Sequence, residues 1–216
     1  MIHCIGDSHG CIFTGRGTRE QRYMCPAWPE KGPQYIEGMR GYRIGPATAY
    51  NLESKKPILT EILSSEVDKD HDNVLFVFGE VDTRAHLIKQ QQLQGRSIED
   101  LVSECLDRYF KVILFYKGEG YKMAAWGPMA SAPDILNYCG PKYGTSIDRN
   151  RVSLIFNKGL EERCLAHGLK FASIYHEMLL PNGDTDPSLF MDDIHLSEVA
   201  LPLIIKALKS KDLYFD

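Results

Sequence analysis

A serine, a histidine and an aspartate stand near the two ends of this chain in a pattern suited to nucleophilic chemistry. Gly6-Asp7-Ser8-His9-Gly10 follows a short apolar run at the start, and Asp192-Asp193-Ile194-His195-Leu196-Ser197 comes late. A serine at the turn between a strand and a helix is lifted above the sheet, and its own backbone N–H points where a helix N-terminus favours negative charge. Attack on an acyl carbon needs a base for the hydroxyl proton, and an imidazole titrating near neutrality suits that task. Ser8 and His195 are therefore the candidate nucleophile and base. Asp192 lies three residues before His195, close enough for a tight turn to bring its carboxylate to the ring, although Asp193 could equally contact it.

The elements that must position these groups follow from the apolar pattern. Continuous apolar runs read as buried parallel strands at Met1 to Ile5, Asn73 to Phe78, Val112 to Tyr116 and Phe171 to Tyr175, with a weaker one between Gln34 and Arg43. Between them the period changes to about 3.6 residues. Ile98, Leu101, Val102, Cys105, Leu106 and Tyr109 fall on one helical face behind a Ser97/Asp100 cap, and a second helix is expected from about Asp148 to His167. Near the end, Leu196, Val199, Ala200, Leu203, Ile204, Ala207 and Leu208 form a stripe in which Pro202 predicts a kink or a late start. Alternating strands and helices predict a single α/β domain over residues 1–216, with a mostly parallel five-stranded sheet. Chemistry in such folds collects beyond the carboxyl ends of the strands. Two stretches rich in Gly, Pro and aromatics, about 13–41 and 118–145, read as loop insertions.

With Gly79-Glu80-Val81-Asp82-Thr83-Arg84 after the third run and Arg43-Ile44-Gly45-Pro46-Ala47-Thr48-Ala49 before it, the four short blocks resemble the SGNH hydrolases, or GDSL-type esterases. That resemblance implies a three-layer α/β/α, flavodoxin-like sandwich. It assigns Ser8, His195 and Asp192 as a triad, since Asp-x-x-His is the family's late block, and makes the Ser8 and Gly45 backbone amides oxyanion donors. Gly45-Pro46 is also an ordinary helix start. The chain departs from the pattern at Val81, which stands where the family has an asparagine donating to the oxyanion. Loss of one such donor typically costs about a hundred- to a thousandfold in turnover. Arg84 is a candidate replacement through its guanidinium donors, and pairing of Arg84 with Glu80 or Asp82 is the alternative. Two other classes remain. A binding module with this fold but impaired catalysis fits Val81; a metallophosphoesterase fits Asp7 and His9, but the chain contains no Gly-Asn-His to supply the remaining ligands.

Composition narrows the rest. The chain has 216 residues, 25 basic and 29 acidic, for a net charge of −4, so no overall field favours nucleic acid or an anionic membrane. No apolar stretch reaches membrane-spanning length, and the N-terminus lacks the regions of a signal peptide. The six cysteines form no C-x-x-C pair and are expected to be reduced in a cytoplasmic protein that needs no metal or cofactor. Both tryptophans, Trp28 and Trp126, and Tyr23, Tyr35, Tyr42, Tyr121, Tyr138 and Tyr143 lie in or at the edge of the two glycine-rich stretches, which contain no long aliphatic run. This favours a short acyl group such as acetyl on a carbohydrate or similarly polar small molecule, with no nucleic-acid or membrane partner. Asp7, His9, Glu80, Asp82 and Trp126 are the candidate substrate contacts. Arg16-Gly17 and Lys117-Gly118-Glu119-Gly120 are only weak signs of a phosphorylated substrate.

Overall fold

Five short strands run side by side: β1 (Ile2–Gly6), β2 (Met39–Arg43), β3 (Asn73–Val77), β4 (Lys122–Trp126) and β5 (Lys170–Ala172). They belong to a computed structural model that describes residues 1–15, 25–136 and 141–214. All pair in parallel in the order β2-β1-β3-β4-β5. Because side chains alternate across a strand, the sheet feeds two cores. Ile5, Val74 and Phe76 pack with α1 (Lys56–Glu66), α2 (Leu87–Gln94), α3 (Ile98–Gly118) and α4 (Ser146–Ala166). Cys4, Leu75 and Val77 face the other way, towards α5 (Leu201–Ser210) and the segments around Met129, Ile174 and Phe190. The result is the expected α/β/α sandwich.

Local chemistry sets the helix ends. The Ser97 hydroxyl accepts from the Asp100 N–H at 3.1 Å to start α3, and a reciprocal Thr145/Asp148 capping box starts α4. Pro202 falls in the first turn of α5, so that stripe starts late instead of kinking. Each fully buried Leu or Phe on these faces contributes roughly 1.5–3 kcal/mol, which is why the elements close onto the sheet.

Several sequence expectations are corrected. Val112 to Tyr116 is the last part of α3 and not a strand. The fourth strand is β4, inside the stretch read as a loop insertion over 118–145, and the ends of the 13–41 stretch belong to a 3₁₀ helix and to β2. No helix opens at Pro46; the chain turns until a 3₁₀ helix at Leu52–Lys55. Cys11 and Cys25 are joined in a disulfide, their Cα atoms 5.5 Å apart, so the expectation of six reduced thiols fails there. The two cysteines are 14 residues apart, a spacing that does not by itself announce a bond. Cys4, Cys105 and Cys164 are buried free thiols. Tyr23, Arg16-Gly17, Tyr138 and Cys139 lie outside the described residues. No helix among the described residues is long and apolar enough to cross a membrane.

Candidate active site

The register of the sheet brings the motif residues to one level. Gly6 pairs with Arg43 on one side and with Val77 on the other. Ser8, Gly45 and Gly79, each two residues further on, therefore leave three adjacent strands together, about 5 Å apart from strand to strand. A Cβ on Gly6 would come within 2.7 Å of the Val77 carbonyl oxygen, so only glycine lets β1 and β3 close here. Gly45 has φ +81°, a left-handed conformation that glycine takes without strain and that turns the chain sharply after β2.

Ser8 opens a 3₁₀ helix (Ser8–Thr14) capped by Asp7, whose Oδ1 accepts from the His9 N–H at 2.8 Å. At the far end of the chain, backbone bonds from Met191 N to His195 O (2.9 Å) and from Ser197 N to Leu189 O (2.8 Å) hold residues 189–197 as a tight double-backed loop. That loop presents His195 to Ser8: Nε2 lies 2.9 Å from Ser8 Oγ, and Nδ1 lies 2.8 Å from Asp192 Oδ2. With the Nδ1–H donating to the carboxylate, Nε2 carries a lone pair, an arrangement that can take up the Ser8 hydroxyl proton. Asp192 Oδ1 also accepts from the Ile194 N–H (2.8 Å) and the His195 N–H (2.6 Å), so both its oxygens are spoken for. Burial pushes the Asp192 carboxyl up, but the His195 contact and these amides outweigh it and hold it at about 2. Asp193, the other candidate, is buried, and the two ring nitrogens of His195 face Asp192 and Ser8.

A second imidazole stands beside the first. The His9 and His195 rings are 4.9 Å apart between centroids, tilted by 30°. His9 Nε2 lies 2.6 Å from Glu80 Oε2, touching as an ion pair without good hydrogen-bond alignment. The other oxygen of Glu80 accepts from Arg84 Nε at 2.7 Å, and Arg84 Nη1 donates to the Pro141 carbonyl at 2.7 Å. A single turn of π-helix over Asp82–His86 brings Arg84 back onto Glu80. Burial raises the Glu80 pKa, but the two cations pull it to about 2. Burial lowers that of His9, and the Glu80 and Asp7 carboxylates more than reverse this, for a net rise. Asp7 is pushed up to about 6, chiefly by burial, with His9 opposing and Glu80 and Asp82 adding to the rise. Asp7 Oδ2 and His9 Nδ1 are buried with no hydrogen-bond partner among the described residues.

The remaining candidates are less close to the chemistry. Val81 has no side-chain donor, and two of the Arg84 donors are held by Glu80 and Pro141, the pairing that was the alternative reading of that residue. Asp82 is buried and accepts from the Ala49 N–H (2.7 Å) and the Tyr50 N–H (3.3 Å), tying the loop after Gly45 to the end of β3. Trp126 is the last residue of β4, packed edge-on against Phe13 in the core, and not a loop aromatic. It lines a small cavity of about 20 Å³ with His9, Ile12, Glu80 and Leu196. The role of Ile12 and Leu196 in that cavity had no signal in the sequence beyond their neighbourhood to Ser8 and His195. Among the described residues no cluster of three His, Cys, Asp or Glu side chains could hold a metal ion.

No protein-family model matches the chain, and no curated protein matches it in sequence. Solved structures do match in shape. One is a carbohydrate acetylesterase from Sinorhizobium meliloti, 16% identical, with 99% of each chain covered and a TM-score of 0.55. A phospholipase A1 from Streptomyces albidoflavus is 13% identical over 97% of this chain and 98% of that one, with a TM-score of 0.54. A GDSL-like lipase from Bacteroides thetaiotaomicron is 13% identical over 97% of this chain and 85% of that one, with a TM-score of 0.55. At these identities the likeness is one of fold.

Proposed function

We propose that this chain, which has the fold of the SGNH hydrolases, is a serine acyl-ester hydrolase that works through an acyl-enzyme on Ser8. The observation that carries the reading is the unbroken line from Ser8 Oγ through His195 (2.9 Å) to Asp192 (2.8 Å). In the proposed cycle the Ser8 oxygen bonds to the acyl carbon while its proton passes to His195 Nε2. Collapse of the tetrahedral intermediate breaks the ester C–O bond, and His195 returns the proton to the leaving alcohol. Water, or a sugar hydroxyl if the reaction is a transfer, then releases the acyl group by the same steps in reverse. Asp192 keeps the Nδ1–H tautomer in place. The Ser8 and Gly45 amides are the proposed oxyanion donors, and Arg84 acts on the site by fixing Glu80.

For the acyl group we favour acetyl. The cavity of about 20 Å³ beside His9 and Leu196 has mostly apolar walls and the room of about one water molecule or one methyl group. A carbohydrate is the favoured alcohol partner, in keeping with the acetylesterase among the fold neighbours.

Reaction with a fluorophosphonate tests the reading. Wild-type protein is expected to gain one covalent adduct, read by intact-mass spectrometry, and folded Ser8→Ala protein none. An unlabelled but folded wild type would favour a non-catalytic binding module, the reading to which Val81 lends support.

A further inference from the structure

A groove of about 310 Å³ beside the loop that carries Gly45 is left unused by the chemistry above. It opens between the loop after Gly45, the outer face of α2 and the start of α3, with Thr48 and Tyr50 on one wall and Gln90 and Gln94 on the other. A volume of this size is that of a small-molecule site. Its near wall is joined to the proposed oxyanion loop. Thr48 stands three residues after Gly45, a reach of at most about 11 Å along the chain, and the buried Asp82 carboxylate pins the intervening backbone at Ala49 and Tyr50.

The lining selects a kind of ligand. Leu87 and Leu101 give it apolar surface, and Arg108 covers one face of the Tyr50 ring at 4.1 Å from its centroid. The lining charges stand in pairs: Arg96 meets Glu104 at 2.7 Å, Tyr50 donates to the other oxygen of that carboxylate at 3.1 Å, and His86 stands in the field of the buried Asp82 carboxylate. An anionic ligand would have to displace that pairing. Against this neutral background the two glutamines keep unspent hydrogen-bonding groups. Gln94 Nε2 donates to Gln90 Oε1 at 2.7 Å and Gln94 Oε1 accepts from Arg96 Nη1 at 3.4 Å, which leaves the Gln90 amide nitrogen and the second Gln94 N–H to meet a ligand. Apolar patches with neutral donors and acceptors at their edges match a pyranose ring, which has C–H faces and hydroxyl edges, and do not match a long acyl chain.

We propose that this groove is a carbohydrate subsite, holding a sugar residue of the substrate one or two rings from the acylated hydroxyl. The proposal rests on the acyl-enzyme reading of Ser8 and extends it to the part of the substrate that does not react. Sugar bound there leans on the same loop that carries Gly45, so its binding energy is available to align the ester with the nucleophile.

The experiment uses the full chain, p-nitrophenyl acetate, and O-acetylated tetrasaccharides of the β-xylan, β-mannan and β-glucan types. Gln90→Ala, Gln94→Ala and the double variant lie on an exposed helix face and are expected to fold, which circular dichroism checks. For the preferred tetrasaccharide, the double variant is expected to raise KM at least fivefold relative to its KM for p-nitrophenyl acetate. Calorimetry of the deacetylated tetrasaccharides with Ser8→Ala protein should show binding that Gln90→Ala/Gln94→Ala weakens by a similar factor. KM ratios unchanged for all three tetrasaccharides, with fluorophosphonate labelling intact, would overturn the subsite and leave the esterase reading standing. Absence of labelling and of p-nitrophenyl acetate turnover would remove the esterase reading, while sugar binding sensitive to the two glutamines would still support the groove.

Discussion

The site contains two imidazole–carboxylate pairs side by side, and they are built for opposite ends. His195 and Asp192 meet at 2.8 Å on a loop, and the second ring nitrogen of His195 faces the Ser8 hydroxyl. His9 and Glu80 meet at 2.6 Å in the interior, and the second ring nitrogen of His9 has no hydrogen-bond partner among the described residues. Asp192 spends its other oxygen on neutral amides, whereas Glu80 spends its other oxygen on the Arg84 cation. The same two functional groups thus leave one imidazole only oriented, with a ring nitrogen facing Ser8, and the other in an ion pair whose Glu80 and Asp7 carboxylates raise its pKa. A raised pKa favours the form of His9 that has no lone pair for a serine proton, and in the proposed cycle that role falls to His195.

The largest way to break this comparison is to remove the orientation of the first pair. Asp192→Asn keeps the shape of the side chain but no longer favours the Nδ1–H tautomer, and is expected to lower turnover roughly 10³–10⁴-fold with little loss of stability. Steady-state kinetics with p-nitrophenyl acetate, beside a thermal melt, measures both. A loss below tenfold would mean that Asp192 does not orient the base. Glu80→Gln should do the reverse. It leaves two buried cations, His9 and Arg84, short of their shared counter-charge and is expected to cost about 3–5 kcal/mol in denaturant unfolding, with a smaller effect on kcat than Asp192→Asn. The triple variant His9→Phe/Glu80→Leu/Arg84→Met, which removes the charges together, should recover at least half of that loss. A Glu80→Gln cost under about 1 kcal/mol would mean that the pair is too hydrated to be a lock.

Of the two pairs, only the first was legible in the sequence as a pair. Asp192 and His195 are three residues apart, so a local turn suffices and the motif carries its own geometry. His9 and Glu80 are brought together by the register of β1 with β3, and the sequence reading offered them as separate substrate contacts. The same distinction runs through the fold. The faces of α3 and α4 and the strands β1 and β3 follow from their own residues, but the strand expected at Val112 to Tyr116 is helix. A helix wedged between a sheet and α4 is apolar around much of its circumference, and there a short apolar run does not reveal its period. The true fourth strand, Lys122–Trp126, has two alanines at its centre, and such residues do not favour strands by themselves; β3 and β5 on its flanks hold it in place. The Cys11–Cys25 bond and the groove beside Gln90 and Gln94 likewise depend on segments that meet only in three dimensions.

The finest difference between the pairs lies in the third carboxylate, Asp7, which sits in the interior with the second pair. Its side chain is 3% exposed as a residue, and its pKa is pushed up from 3.8 to about 6, mainly by burial. A carboxyl with a raised folded-state pKa binds its proton more tightly when folded. Its contribution to stability is therefore complete below the unfolded value of 3.8 and is lost as the pH rises through about 6. Glu80, held at about 2, has the opposite sign: its contribution is complete above the unfolded 4.5 and is lost as the pH falls towards 2. The two therefore act in different windows and can be separated. Asp7→Asn should become more stable relative to wild type between pH 4 and pH 6, by on the order of 3 kcal/mol, because the wild-type carboxyl must ionise there and the amide need not. Urea unfolding of both proteins at half-unit steps across this range measures the difference. A difference that stays constant with pH would mean that Asp7 ionises as readily in the fold as in the unfolded chain. The interior beside His9 would then be open to water, and the contrast between an oriented base and a buried, locked pair would not hold.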